Sequence, residues 1–330
     1  MASKPSIGGQ AVMEGVMMRG PESWAVAVRK PDKEIVVHQH ELPSYPSRHK
    51  WTKKPLLRGV WVLAESMIIG FKALRISATY AVEEEDDTPE ITTATEKTLN
   101  WSLGIGMIVI TALFVTIPAI ISKWGGSRLG VEGDLAQNIL EGFIRMGIFL
   151  GYVTAIGFVP DIRRVFQYHG AEHKTIYAYE NDDPMDPEVI DSYSTLHVRC
   201  GTNFLFVVMI LAIIGHFVAD ILLQGFPVWV KLAARVGMVP VVAGTSYEVI
   251  RAAGRDDKSA IFRFVSLPGL AVQKITTRPP THDQIEVAIK AMEAVIRPIP
   301  VVEETQQVFE VQGAAEPAGA LSPEPGIEPA

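Results

Sequence analysis

Four blocks of this chain are apolar over lengths that few soluble folds can bury. Trp101 to Ile121, Ile139 to Val159, Asn203 to Leu223 and Val228 to Ile250 each reach the roughly 20 residues a helix needs to cross a bilayer. The chain is 48% hydrophobic and 20% charged over 330 residues, and its mean hydropathy is +0.20. That excess is concentrated in the blocks rather than scattered, as it would be in a soluble domain. Trp101 and Trp124 stand where interfacial anchors belong. Glu141 and Arg145 can pair on one helix face near the start of the second block. His216 and Asp220 interrupt the third. Lys231 and Arg235 can snorkel at one end of the fourth, with Glu248 and Arg251 at the other.

The fold class expected is a mainly α, polytopic membrane protein: about four transmembrane helices, an amphipathic interfacial helix and a small cytoplasmic N-terminal β-region. Residues 1–55 form the β-rich part. Trp24, Val26 and Val28 alternate with smaller residues, Pro31-Asp32-Lys33 supplies a turn and Ile35-Val36-Val37 resumes the strand pattern. Ahead of this hairpin, the glycine-bounded run from Gly8 to Gly20 supplies another short strand. Residues 56–98 comprise a helix from Leu56 to Ala81 and an acidic linker; Arg58, Glu65, Lys72 and Arg75 give that helix one polar face, which suits a position on the membrane surface. Residues 99–253 carry the four spans and a polar loop, 160–202. Residues 254–305 form a helical region with a capping box at Thr281-His282-Asp283-Gln284 and an apolar stripe of Ile285, Ala288, Ile289 and Met292. Residues 306–330, rich in Ala, Pro, Gly and Glu, read as a disordered tail.

Lys and Arg crowd before Trp101, within 160–202 and after Arg251, and are scarce in the two remaining loops. The positive-inside bias then puts both termini and the 160–202 loop in the cytoplasm. The bilayer is the cytoplasmic membrane in this reading. The formal net charge of −7 misleads, because acidic residues gather in 83–87 and the C-terminal tail while basic ones flank the spans; the absence of any nucleic-acid motif is what argues against nucleic acid as a partner. Cys200 is the single cysteine, so no intrachain disulfide forms, which suits a reducing compartment.

The chemistry gathers in the polar loop. In His169-Gly170-Ala171-Glu172-His173 the two histidines fall one helical turn apart and can offer nitrogens to one ion at the ~2.0–2.1 Å zinc distance. The pattern His-x-x-Glu-His is also that of the inverzincins, with the glutamate as general base. A third ligand is expected from the chain folding back through Asn181 to Pro187: His197 first, Cys200 second, because Glu180 lies too far along a continuous helix. Gly170 weakens that helix by about 1 kcal/mol relative to Ala. A hydrogen-bonded cap between helix ends remains the alternative use of these groups. Glu14 interrupts an apolar run and can pair with Arg19. Arg199 or Arg19 can clamp an anionic substrate group, and His216, Asp220 and Glu248 are the intramembrane polar candidates.

Taken together these segments resemble the YqhQ-like family of bacterial membrane proteins, of unknown function and described as predicted metal-dependent enzymes. The resemblance runs from Ile7 to about Ala294. It rests on Gly8 to Gly20, Leu57-Arg58-Gly59-Val60, His169 to Thr175, Ser194 to Thr202, and Ala243 to Arg251. It implies a multi-pass protein and a divalent metal, zinc by its donors. The function expected is a hydrolase at the cytoplasmic membrane face, acting on a lipid-linked or membrane-protein substrate. The competing expectation is a non-catalytic transporter or assembly factor, in which His216, Asp220, Arg235 and Glu248 line a polar path and oligomers complete it.

Overall fold

A four-stranded antiparallel meander with helices on both faces organises the polar half of the molecule. The computed structural model describes residues 5, 7–42, 54–82, 101, 104–106, 108–131, 133–253 and 260–297; the acidic linker and the expected disordered tail lie outside these. The strands β1 (Gly8–Val12), β2 (Gly15–Arg19), β3 (Ser23–Arg29) and β4 (Ile35–Glu41) pair in sequence order, leaving β1 and β4 as edges. The hairpin expected at Pro31-Asp32-Lys33 joins β3 to β4, with Lys33 at φ 73. The single strand expected before it is two strands: Glu14 takes φ 49 and turns the chain between β1 and β2.

Alternation explains the layers. Val16, Met18, Ala25 and Ala27 face one way and pack on α4 (Pro160–Glu180) and α9 (His282–Ile296). Val12, Met17, Trp24, Val26 and Val28 face the other way and pack with Ile69 and Ala73 of α1 (Leu57–Val82). The small residues of β3 therefore do not face solvent; they let two helices approach the sheet closely. The capping box at Thr281 and Gln284 forms, and Ile285, Ala288, Ile289 and Met292 are buried against the sheet.

Three further helices are long and apolar enough to cross a membrane: α2 (Gly104–Leu129), most of α3 (Asp134–Ile156) and α6 (Gly201–Leu222). In their most apolar stretches only 6%, 11% and 11% is buried by protein. Phe143 and Leu222 are more than 70% exposed. The fourth expected block is a helix, α7 (Val228–Ala253), but it carries Lys231, Arg235, Glu248 and Arg251 and is not among these three. It packs on α6 and on the start of α1, where Arg58 pairs with Glu248. The expected Glu141–Arg145 pair is present, and Arg145 Nε also donates to the Phe114 carbonyl at 2.9 Å. That carbonyl belongs to a π-helical turn, Ala112–Thr116, inside α2. The wider turn spoils the local i→i−4 pairing and frees an acceptor for a cation on an otherwise apolar helix.

α1 presents Met67, Ile68 and Phe71 outward, all at least 58% exposed, while its opposite face covers the sheet. The outward face thus mixes these apolar residues with exposed Lys72 and Arg75 instead of forming the single polar face expected. A short α5 (Pro187–Asp191) and α8 (Ala260–Thr276) complete the described residues.

Candidate metal centre

α4 carries the histidine motif through ten buried positions rather than on a solvent-exposed loop. Gly170 does not break it. A Cβ there would lie 2.2 Å from the Arg278 carbonyl oxygen, so the glycine lets the chain after α8 cross α4 at contact distance. Arg278 N in turn donates to the Phe166 carbonyl at 2.9 Å. This crossing brings Thr276 to the site.

His169 Nδ1 lies 3.0 Å from the Thr276 carbonyl and His173 Nδ1 lies 2.5 Å from the Thr195 carbonyl. A carbonyl only accepts, so both Nδ1 atoms carry the proton and both Nε2 atoms present lone pairs. His169 Nε2 is 3.2 Å from Cys200 Sγ. The three ligand atoms of His169, His173 and Cys200 lie within 4.8 Å of one another. Cys200 is the N-cap of α6; its sulfur accepts from the Thr202 N–H at 3.5 Å and from the Thr202 hydroxyl at 3.4 Å. Burial pushes the thiol up, but the His173 imidazole and the two Thr202 donors outweigh it and leave it below its ordinary value. Burial also lowers His173.

Glu172 faces the same cavity, fully enclosed, and burial pushes its carboxyl up to about 8. A Cβ on Gly9 of β1 would lie 2.8 Å from Glu172 Oε1, so the strand backbone rests directly on the carboxyl group. Glu172 Oε2 and His173 Nε2 are buried and have no hydrogen-bond partner among the described residues. The cavity, about 340 Å³, is walled by β1 on one side, His169, Glu172, His173 and Ile176 on another, and His197, Arg199, Cys200 and Thr202 on the third.

His197, the first choice for the third ligand, lines the same cavity, and its buried Nε2 makes no hydrogen bond among the described residues. Its Nδ1 accepts from the Arg199 N–H at 3.2 Å, and its Nε2 faces Glu180 Oε2 at 3.5 Å. Its ring stands 5.7 Å from that of His173. Arg199 lines the cavity and pairs with Glu180 at 2.9 Å. Glu14 pairs with Arg164 and accepts from the Tyr168 hydroxyl, whereas Arg19 pairs with Glu65; the expected Glu14–Arg19 pair does not form, because the turn at Glu14 points it towards α4. Neither residue lines the cavity. Asp220 accepts from Asn138 at 2.9 Å and from Arg235 at 3.1 Å, Glu248 is held by Arg58, and His216 is half-buried on α6. Nothing brings these three to the cavity.

The positioning residue missed in the sequence is Gln273. Its Oε1 accepts from the His197 N–H at 2.7 Å and its Nε2 donates to the His197 carbonyl at 2.9 Å, clamping the loop that carries Cys200. The only sequence signal was a polar residue on the buried face of an amphipathic helix.

Fold and site together define a helical protein with three candidate membrane helices, a helix-covered sheet and a candidate His-His-Cys centre beside a buried acid. The chain belongs to the family described as "Protein of unknown function (DUF1385)", which it matches over residues 54–298. It is similar to the "Uncharacterized protein YqhQ" of Bacillus subtilis (strain 168), with 32% identity over 301 residues that cover 89% of this chain and 93% of that protein. No solved structure matches it.

Proposed function

We propose that this chain is a multi-pass bacterial inner-membrane hydrolase that holds a divalent ion, zinc by its donors, on His169, His173 and Cys200, with Glu172 as general base. The observation that carries this is the pair of Nδ1–H···O=C contacts, which leave both Nε2 atoms free to ligate in a group whose ligand atoms lie within 4.8 Å of one another. Metal-bound histidines are oriented in this way by groups behind them. A cation also accounts for two buried polar atoms that otherwise lack partners, each of which costs about 1–3 kcal/mol. A mere hydrogen-bonded cap would leave neither unpaired. A cysteine nucleophile with His169 as its base accounts for the 3.2 Å contact, but leaves Glu172 and His173 unexplained.

A bound ion of this kind polarises a carbonyl and brings the pKa of a water towards ~7. Glu172 takes the proton of the attacking water and passes it to the leaving group. Its ion-free pKa near 8 falls once a cation stands beside it. Thr195 and Thr276 hold the histidine rings, and Gln273 holds the loop bearing Cys200. Arg199, at the cavity wall, orients a carbonyl or anionic group of the substrate. The site lies at the N-terminus of an apolar helix, which suits a lipid-linked or membrane-protein substrate. Four spans with α7 as the fourth, both termini and the site in the cytoplasm, complete the proposal; the Lys and Arg distribution supports that orientation.

The test is hydrolysis of membrane-anchored ester and amide substrates by full-length protein in bilayers. Activity should vanish on chelation and return with zinc. Glu172→Gln should lose it while retaining the metal. Activity that survives full metal removal would overturn the proposal.

A further inference from the structure

The cavity has one wall made of backbone. Among the described residues β1 is an edge strand, paired with β2 alone, and Ile7 to Ala11 line the space facing Glu172. The connection to β2 is a two-residue turn, Met13-Glu14, so Val12 and Gly15 form a hydrogen-bonded pair. Alternation then fixes the rest: Gln10 and Gly8 bond to β2, while Ala11 and Gly9 turn their N–H and C=O groups off the sheet.

Natural edges are blunted with lysine, proline, a bulge or an inward charge. β1 reads Gly-Gly-Gln-Ala-Val and has none of these, whereas the other edge, β4, carries His38, His40 and Glu41. Gly8 and Gly9 are exposed, and a Cβ at Gly8 would touch nothing. The open edge thus has no side chains to obstruct it at the two positions nearest the buried acid. A strand added there would run about 4.8 Å outside β1 and pass directly beside Glu172 and the histidine nitrogens.

We propose that the substrate is an extended polypeptide segment that adds to β1 as a fifth strand, its backbone held by Gly9 and Ala11, so that the site is a peptidase centre. This rests on the hydrolase reading above and names its substrate class. Strand addition supplies affinity through main-chain hydrogen bonds, which a lipid acyl chain cannot make. In the reaction, the oxygen of water joins the carbonyl carbon and the C–N bond breaks. The proton accepted by Glu172 goes to the departing amine, and nothing is oxidised or reduced.

The experiment is residue-resolved amide exchange on the full-length Glu172→Gln protein in detergent, with and without an excess of unfolded casein, and with zinc content measured on the same sample. Casein should slow exchange at Gly9 and Ala11 by about tenfold or more, leaving Gly8 and Gln10, already bonded to β2, unchanged. Ala11→Pro removes an outward N–H without touching the ladder, and should abolish the protection at Gly9 and release casein while the zinc content stays the same. Unchanged exchange at Gly9 and Ala11, or casein binding indifferent to Ala11→Pro, overturns the strand-addition proposal whatever the metal content. Protection without zinc would instead remove the hydrolase reading and leave the edge as a peptide-binding site.

Discussion

His169 Nε2 and Cys200 Sγ lie 3.2 Å apart across 31 positions of sequence. His173 and the Thr202 donors hold the thiol below its ordinary pKa, which suits the metal-ligand role proposed for it. Thiolate character is also what makes a cysteine react. Chelator-treated protein should therefore be alkylated at Cys200 by iodoacetamide near neutral pH, and added zinc should slow this by about tenfold or more. Mass spectrometry of the modified peptide reads both rates. Equal rates with and without zinc would remove Cys200 from the ligand set.

The buried Glu172 makes the metal-free protein sensitive to base. Its carboxyl titrates near 8 in the folded chain, against an ordinary 4.5, so between those values the folded state binds more protons than the unfolded state. Its contribution is present in full below the unfolded value and is lost as pH rises towards 8. The loss runs at about 1.4 kcal/mol per pH unit. Thermal melts of chelated protein should fall from pH 5 to pH 8, and Glu172→Gln should flatten most of that slope. Parallel slopes for the two proteins would contradict the burial of this acid.

Gly170→Ala sets two effects against each other. Helix propensity favours alanine by about 1 kcal/mol, but the new methyl would lie 2.2 Å from the Arg278 carbonyl. Overpacking against backbone costs about 1–3 kcal/mol, and it also displaces the segment that orients His169. Denaturant unfolding should show net destabilisation together with weaker zinc binding. A more stable variant would mean that α4 and the Arg278 segment do not cross so closely.

Much of this architecture was legible because burial leaves a periodic mark. The stripe Ile285, Ala288, Ile289 and Met292, the capping box before it and the three apolar helices are all patterns of spacing. The β1–β2 turn left no such mark, since glutamate at positive φ carries no turn signature. The alternation in β3 was readable, but not that Ala25 and Ala27 face helices. In the site, His169, Glu172 and His173 were readable from helical spacing. The approach of Cys200 to His169 was not, because it depends on Gln273 gripping the loop from 76 positions away. The Thr195 and Thr276 carbonyls are backbone groups, which no side-chain pattern announces. Cys200 had one usable signal: a polar residue directly before an apolar run, where an N-cap sits.

The proposed orientation rests on the charges flanking the helices and is open to direct labelling. In a Cys200→Ser background, a cysteine at Ser127 should react with an impermeant thiol reagent in intact cells. A cysteine at Asp183 should react only after permeabilisation. The reverse pattern would place the cavity outside the cell and defeat the cytoplasmic assignment.

The central claim is the metal centre, and elemental analysis of detergent-purified protein tests it most directly. The account predicts about one zinc per chain, lost in His169→Ala, His173→Ala and Cys200→Ala and retained in His197→Gln, whose ring lies outside the group formed by those three residues. Sub-stoichiometric zinc, manganese and iron in every preparation, unchanged by His173→Ala, would contradict it.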